Sequence, residues 1–442
     1  LNAIIAVENG FVTTRTSDSL NALAAGDKGD FLRRLGTKLL SRLTEKLPEL
    51  SFSVVYWDNT TEHYGKGAPT FSFHLKTREA AQRIIRDGGL GFGEAYMDGE
   101  IDIEGDLGDL LKLQYTSAFD ASALSFWEKI RAALTAFLHR NSISRVRKNV
   151  SHHYDLSADF YRLWLDKSMT YTCAYFQTSQ DTLEQAQINK HDHICRKLRL
   201  EPGMSLVDIG CGWGAMMIYA AEHYGVNCTG YTISQEQHKW LNAEIEHRGL
   251  GDRVQVRLQD YRHAEGQFDR WVSIGMFEQV GSQYVGTFMD CIRRVLKPGG
   301  VGLLHTIGFR TRNLKVPWMT RYIFPGGFLP SLGEIVEPMS ELNLNVYDVE
   351  DLRLHYGETL DHWDKRFCQH IDQIRNMFDE RFIRMWRLYL KGAASFFRYG
   401  GARLYQLAFV HGTNNQGYRT RAYLYGGEPE TFSLPNISKF DR

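Results

Sequence analysis

The run Val207-Asp208-Ile209-Gly210-Cys211-Gly212-Trp213-Gly214 sets an acid two positions ahead of three alternating glycines. Glycines so spaced let a chain turn sharply out of a strand and bring its backbone against a ligand where a side chain would clash. The chemistry on offer is the binding of a polar small molecule. Cys173 and His305 have side chains that could react, but each has a plainer reading: a small core hydrophobe for Cys173, a satisfied core histidine for His305. The six cysteines, at 173, 195, 211, 228, 291 and 368, show no paired CxxC spacing. That argues against a metal site or a disulfide framework and for reduced thiols, with Cys211 serving only to pack its loop.

The elements around the loop read as strand, turn, helix, strand. Ser205–Ile209 is an apolar run, Ala215–His223 has helical period and Val226–Tyr231 is a second run, which together make a βαβ unit. Phe268–Ile274 reads as a fourth strand, and Lys297-Pro298-Gly299-Gly300 turns into a fifth at Val301–Ile307. The spacing GxGxG with Asp208 resembles motif I of S-adenosylmethionine enzymes, whereas a dinucleotide fingerprint would be GxGxxG. The expected fold is α/β, a Rossmann-like class I methyltransferase domain. Its second strand ends in Tyr231-Thr232-Ile233-Ser234, where many such enzymes place an acid for the ribose hydroxyls, so Thr232 and Gln237 are expected there instead.

Residues 145–442 resemble the cyclopropane fatty acid and mycolic acid cyclopropane synthases. The resemblance is carried by His153-Tyr154-Asp155-Leu156-Ser157, Met169–Phe176, the glycine loop, Thr232-Ile233-Ser234 with Gln237, Gly275-Met276-Phe277-Glu278, Leu304-His305-Thr306-Ile307, Phe324-Pro325-Gly326-Gly327 and His355–Leu360. It implies a cyclopropane-fatty-acyl-phospholipid synthase, in which the π electrons of a cis acyl double bond attack the methyl of S-adenosylmethionine and a bound bicarbonate removes a proton as the ring closes. It further implies that Cys173, Glu278, His305, the backbone of Ile307 and Tyr356 hold the bicarbonate. Tyr171, Thr172, Asp208, Gly210, Gly212, Gly214, Thr232, Gln237, Tyr261 and Arg262 are implied to border S-adenosylmethionine, with Tyr261 along the adenine and Tyr171 near the sulfonium. Three positions depart from the family pattern: Gln279 stands where many members have histidine, Ala393 where several have cysteine, and Arg262 where some have an acid. Loss of a proton elsewhere would leave a methyl or methylene branch instead of a ring. A small-amine methyltransferase and a lipid-binding protein that merely keeps the fold are the competing readings.

With 442 residues, 43% hydrophobic and 24% charged, the chain should form two globular domains. Fifty-two basic residues balance fifty-two acidic ones, so attraction to a polyanion would have to be local, and no nucleic-acid partner is expected. Residues 1–30 read as a loosely held leader and 31–120 as an N-terminal α+β domain. A helical linker over 121–150 follows, and the methyltransferase domain fills 151–442. Phe31–Leu47 has helical period, Phe52–Trp57 and Thr70–Leu75 read as a hairpin, Glu79–Arg86 as a helix, and Gly99–Leu107 as an edge strand before a helix from Leu107. The stretch 31–115 resembles sterol-carrier-like lipid domains; dimer contacts, giving a homodimer, or orientation of the catalytic domain are equally open uses. Arg140, Arg145, Arg147 and Lys148 form either a solvated face or a contact for anionic head groups. Phe309–Leu329 mixes Arg310, Arg312, Lys315 and Arg321 with Trp318, Tyr322, Phe324 and Phe328, either a membrane-facing acyl entry or a lid packed on the core. No apolar run is long enough for a membrane span, so the protein is expected to be cytoplasmic and peripheral to the inner face of the membrane.

Overall fold

The computed structural model describes residues 50–116, 156–312, 316–428 and 430–432, with isolated positions between 33 and 45. The expected leader, most of the helix at Phe31–Leu47, the linker with its basic cluster, Lys315, and His153, Tyr154 and Asp155 lie outside the described residues. The chain divides into two compact units: Leu1–His139 with Lys315–Pro325 and Leu360–Gly401, and Arg140–Leu314 with Gly326–Thr359 and Ala402–Arg442.

In the first unit, strands β1 (Phe52–Val55), β2 (Thr61–Tyr64), β3 (Phe71–Leu75) and β4 (Ile101–Gly105) form a sheet in the order β2-β1-β3-β4. The hairpin expected between 52–57 and 70–75 is not formed: β3 runs parallel to β1, and the antiparallel partner of β1 is β2. The polar stretch between the two apolar runs explains the difference. Asp58 accepts the Thr60 amide at 3.0 Å and closes a tight turn, so the chain returns at once as β2. It then crosses over through Gly65, whose φ of 92° leaves no room for a Cβ beside the Leu50 carbonyl. Helix α1 (Arg78–Met97) is two helical segments joined at Gly88, whose φ of 57° and ψ of −130° are not helical: the first stops close to its expected end at Arg86, and the second carries on to Met97. β4 lies at the sheet edge as its alternating acids suggested, followed by α2 (Leu107–Thr116). The helix Glu380–Tyr399 packs along α1 and α2, with the Arg384 guanidinium 4.2 Å from the centre of the Tyr96 ring. A linear reading of the chain does not reveal this association.

The second unit opens with α3 (Ala158–Arg162) and α4 (Leu183–Leu198). β5 (Ser205–Ile209), α5 (Ala215–Tyr224), β6 (Asn227–Thr232), α6 (Gln235–His247), β7 (Val254–Leu258), β8 (Phe268–Ile274), α7 (Val285–Val295) and β9 (Leu296–Phe309) then alternate. After α8 (Leu332–Glu341), strand β10 (Leu344–Asp351), the first turns of α9 (Arg353–Gln369) and β11 (Ala402–His411) complete it. The sheet order is β10-β11-β9-β8-β5-β6-β7, with β5 to β9 parallel and β10 and β11 antiparallel to their neighbours. Both faces are covered, one by an apolar layer including Ile194, Met217 and Leu241, the other by one including Phe288, Ile292 and Met339. Two-sided burial is why these strands read as continuous apolar runs. The chain leaves β5 for β6 on one side while β8 lies on the other, so a crevice opens at their carboxyl ends.

Candidate active site

The glycine loop occupies that crevice. Gly210 has φ 77° and a Cβ there would come within 2.5 Å of Met276; Gly214 has φ 82° and its Cβ would strike Leu241 at 2.3 Å. Gly212 would point a Cβ into open space. The first and third glycines are thus required by packing, and the middle one faces a partly open cavity. Tyr171, Thr172, Asp208, Gly210, Gly212, Thr232, Gln237, Tyr261 and Arg262 line it. Gly214 stands behind, at the cap of α5.

Each wall is held by identifiable bonds. Thr232 donates to Gln237 Oε1 at 2.8 Å, and Ser234 caps α6 through the Gln237 amide, which ties the end of β6 to the first turn of the helix. The Arg262 guanidinium lies 5.3 Å from the Tyr261 ring centre and 5.0 Å from that of Tyr284. Tyr171 is packed between Tyr161 and Trp164, with ring centroids 5.5 and 5.2 Å away. Asp208 Oδ1, Trp213 Nε1 and Tyr261 Oη are buried without a hydrogen-bond partner, three polar atoms that a ligand in this crevice can satisfy. A nucleoside joined to an amino acid through a sulfonium suits such a cavity, which has rings along its walls and an acid at its base.

Three further residues at the cavity went unread in the sequence. Lys190 of α4 donates to Thr172 Oγ1 at 2.9 Å, and Gln187 of the same helix holds the Thr172 carbonyl at 2.9 Å. Burial draws the Lys190 ammonium down to about 8, against the pull of Asp166, Cys173 and Asp208. Burial likewise pushes the Asp208 carboxyl up to about 7, with Lys190 opposing. Asp260, buried and lining the cavity, accepts the Arg262 amide at 3.0 Å, so an acid does stand at this edge, two positions before the arginine. Lys190 sits in Asn189-Lys190-His191-Asp192-His193, whose polarity suggests a solvated helix face; in the fold that face is inside.

Of the second set of candidates, Glu278 and Ile307 meet directly. β8 pairs with β9 only as far as Ile274 and His305, so Ile307, paired with Leu404 of β11, has no partner from β8, and Glu278 takes that place: its Oε1 accepts Ile307 N–H at 2.5 Å. Glu278 Oε2 is buried without a partner. Burial lifts this carboxyl to about 7, although the Ile307 amide and the Thr306 hydroxyl work in the opposite direction. Its neighbours Met276 and Gln279 line the cavity. His305 is fully buried and held well below its ordinary value by burial, so its ring is neutral; Nε2 has no partner. Cys173 is buried, donates to the Ala174 carbonyl at 3.1 Å and is pushed far up by burial, which leaves a neutral thiol. It lies 3.9 Å from the carbonyl of Leu352, just before the helix that carries buried Tyr356. Among the described residues no cluster of three or more His, Cys, Asp or Glu could hold a metal ion.

Of the rings in the segment 309–329, Phe309 and Trp318 are buried, while Tyr322, Phe324 and Phe328 are half-buried. Trp318 packs against Gly93, the Tyr322 hydroxyl donates to Glu94 at 2.7 Å, and Phe324 meets Tyr389 edge-on. Phe328 packs on Phe277. Arg310, Arg312 and Arg321 remain at the surface. No helix among the described residues is long and apolar enough to cross a membrane.

Residues 141–407 match the family model described as mycolic acid cyclopropane synthetase, and residues 39–124 match one described as a domain of unknown function. The cyclopropane-fatty-acyl-phospholipid synthase of Escherichia coli K12 is 38% identical over 79% of this chain and 90% of its own. A probable fatty acid methyltransferase of Pseudomonas putida is 34% identical over 80% and 90%. The solved structure of mycolic acid cyclopropane synthase CmaA1 with SAH and CTAB is 37% identical, with a TM-score of 0.57 over 60% of this chain and 98% of that one.

Proposed function

Since the chain belongs to the mycolic acid cyclopropane synthetase family of S-adenosylmethionine-dependent methyltransferases, we propose that it converts cis double bonds of phospholipid acyl chains to cyclopropanes, with bicarbonate as the base. The observation that carries this reading is that Glu278 Oε2 and His305 Nε2, on two residues the family resemblance singles out, are each buried without a hydrogen-bond partner. Methylating an amine asks for no such pair. Closing a ring on a carbon cation requires a dry place where an anion is held and a proton is received.

S-adenosylmethionine, when bound, supplies a methyl group on a sulfonium, and bicarbonate supplies the base. The chain's own residues do the rest. Asp208 and the glycine loop hold the donor, and Tyr171 with its aromatic neighbours faces the sulfonium, a contact worth roughly 0.5–2 kcal/mol. Glu278, with a carboxyl near neutrality, presents a protonated Oε2 as donor to an anion, and neutral His305 presents a second donor. An anion buried without such donors would cost several kcal/mol. The Ile307 amide and the Cys173 thiol, which the family resemblance also assigned to the anion, are engaged by Glu278 and by Ala174. The anion's hold therefore rests on Glu278, His305 and Tyr356. The substrate lies in a bilayer, so the enzyme works at the membrane's inner face as a peripheral protein.

The test is purified protein with S-adenosylmethionine and vesicles of cis-unsaturated phospholipid. Lipid mass should rise by one methylene per double bond, and the product should show cyclopropyl protons by NMR. The P. putida relative's description as a probable fatty acid methyltransferase favours a second product, a methyl or methylene branch. Vinyl or methyl signals in place of ring protons would select it, and unchanged lipid would reject both.

A further inference from the structure

A row of polar side chains, buried except for half-buried Glu350 at its far end, leads away from His305 across the sheet, and the reaction above makes no use of it. Glu350 on β10 lies opposite Gln406 on β11, and Gln406 lies opposite His305 on β9, so three adjacent strands set them side by side. Helix α4 adds Lys197 and His193. Gln406 Nε2 meets His305 Nδ1 at 3.2 Å, Lys197 Nζ donates to Gln406 Oε1 at 2.9 Å and to Glu350 Oε2 at 2.5 Å, and His193 Nε2 donates to Glu350 Oε2 at 2.8 Å. Lys197, His193, Gln406 and His305 are each no more than 2% exposed.

The row has one consistent proton assignment. Glu350 accepts from both Lys197 and His193, which keeps the lysine an ammonium with protons and no lone pair. It can approach only the oxygen of the Gln406 amide, so the amide cannot flip, and its NH₂ must face His305. That group can only donate, so His305 Nδ1 must offer a lone pair. The ring is too deeply buried to carry a second proton, and its single proton therefore sits on Nε2, the atom left unpartnered. We propose that Lys197 and Gln406 are positioning residues that lock His305 as the neutral Nε2–H tautomer, a fixed hydrogen-bond donor toward the reacting centre. The lock follows from the bonds alone; only its target rests on the function proposed above.

The experiment reads the tautomer directly. In ¹⁵N-histidine protein, the His305 signals, identified by their loss in His305→Gln, should show a protonated Nε2 and a bare Nδ1. Gln406→Glu offers Nδ1 an acceptor in place of a donor and should move the proton there or create an imidazolium. Its kcat should fall by roughly tenfold or more while its KM for S-adenosylmethionine stays within about twofold, the split expected of a group that acts through another. Gln406→Met, close in volume and unable to donate, should show a mixed tautomer and an intermediate kcat; bound SAH confirms that each variant is folded. Nδ1–H in the wild-type protein would overturn the proposal, and so would a shifted tautomer in Gln406→Glu with undiminished kcat. An Nε2–H spectrum in a protein without lipid turnover would strike the proposed reaction and leave the lock standing.

Discussion

Glu278 is the residue on which most depends, because its burial sets both its chemistry and a cost to the fold. A carboxyl raised from its ordinary 4.5 to about 7 keeps its proton more readily in the folded protein than in the unfolded chain. Such a group contributes stability that is fully present below the unfolded value and lost as pH rises through the folded one, on the order of 3 kcal/mol for a shift of this size. Between about pH 4.5 and 7 the wild type should therefore lose stability relative to Glu278→Gln, which cannot ionise. Denaturant melts of both proteins at a series of pH values measure this, and parallel curves would mean that Glu278 is not buried as described. The same variant, which alters the group proposed to orient the base, should lower kcat by about 10–100-fold in the lipid assay. Cysteine chemistry should be silent at the site: Cys173, Cys195, Cys211, Cys228 and Cys291 are buried and Cys368 is half-buried. Mass mapping after brief alkylation of native protein should find Cys368 modified first. Early label on Cys173 would contradict its enclosure.

Among the elements, the glycine loop was the most legible, since its residues answer to backbone geometry that a sequence states outright. Gly210 needs positive φ and clearance from Met276, and no other residue type supplies both. Gly210→Ala should cost about 1–3 kcal/mol through strain at that φ, and SAH titration by calorimetry should show weakened binding. Wild-type affinity in that variant would show that the loop does not form the cradle. The parallel strands were legible for a related reason: burial on both faces leaves an unbroken apolar run. The N-terminal hairpin was misread because Thr61–Tyr64 has three titratable residues in four and too little apolar pattern to announce a strand. α4 was opaque in the opposite sense. Its Lys190, His193 and Lys197 look like a solvated face and are instead satisfied by Thr172, Glu350 and Gln406, partners that lie 18 to 209 positions away. Long-range polar pairing leaves no local period. The family resemblance supplied Glu278 and His305, but not the residues that orient them.

At the scale of the molecule, the donor cavity and the residues proposed to handle the proton are lined separately, and that separation can be read as a linkage. The cavity is lined by the loop, β6 and the Tyr261 turn, while Glu278 and His305 do not line it. A ligand that binds only the folded protein stabilises it by RT ln(1 + [L]/Kd), about 2.7 kcal/mol at a hundredfold excess over Kd. SAH should therefore raise the stability of the wild type and of Glu278→Gln by equal amounts when each is held at the same multiple of its Kd, and the Kd values themselves should agree within a few-fold. Gly210→Ala should show a smaller rise at the same SAH concentration. Thermal melts across an SAH series measure all three. Were Glu278→Gln to lose its response to SAH, the carboxyl would belong to the donor site, and its assignment to proton handling would fail. Equal shifts with a collapsed kcat would place Glu278 after donor binding, at the step where the acyl chain gives up its proton.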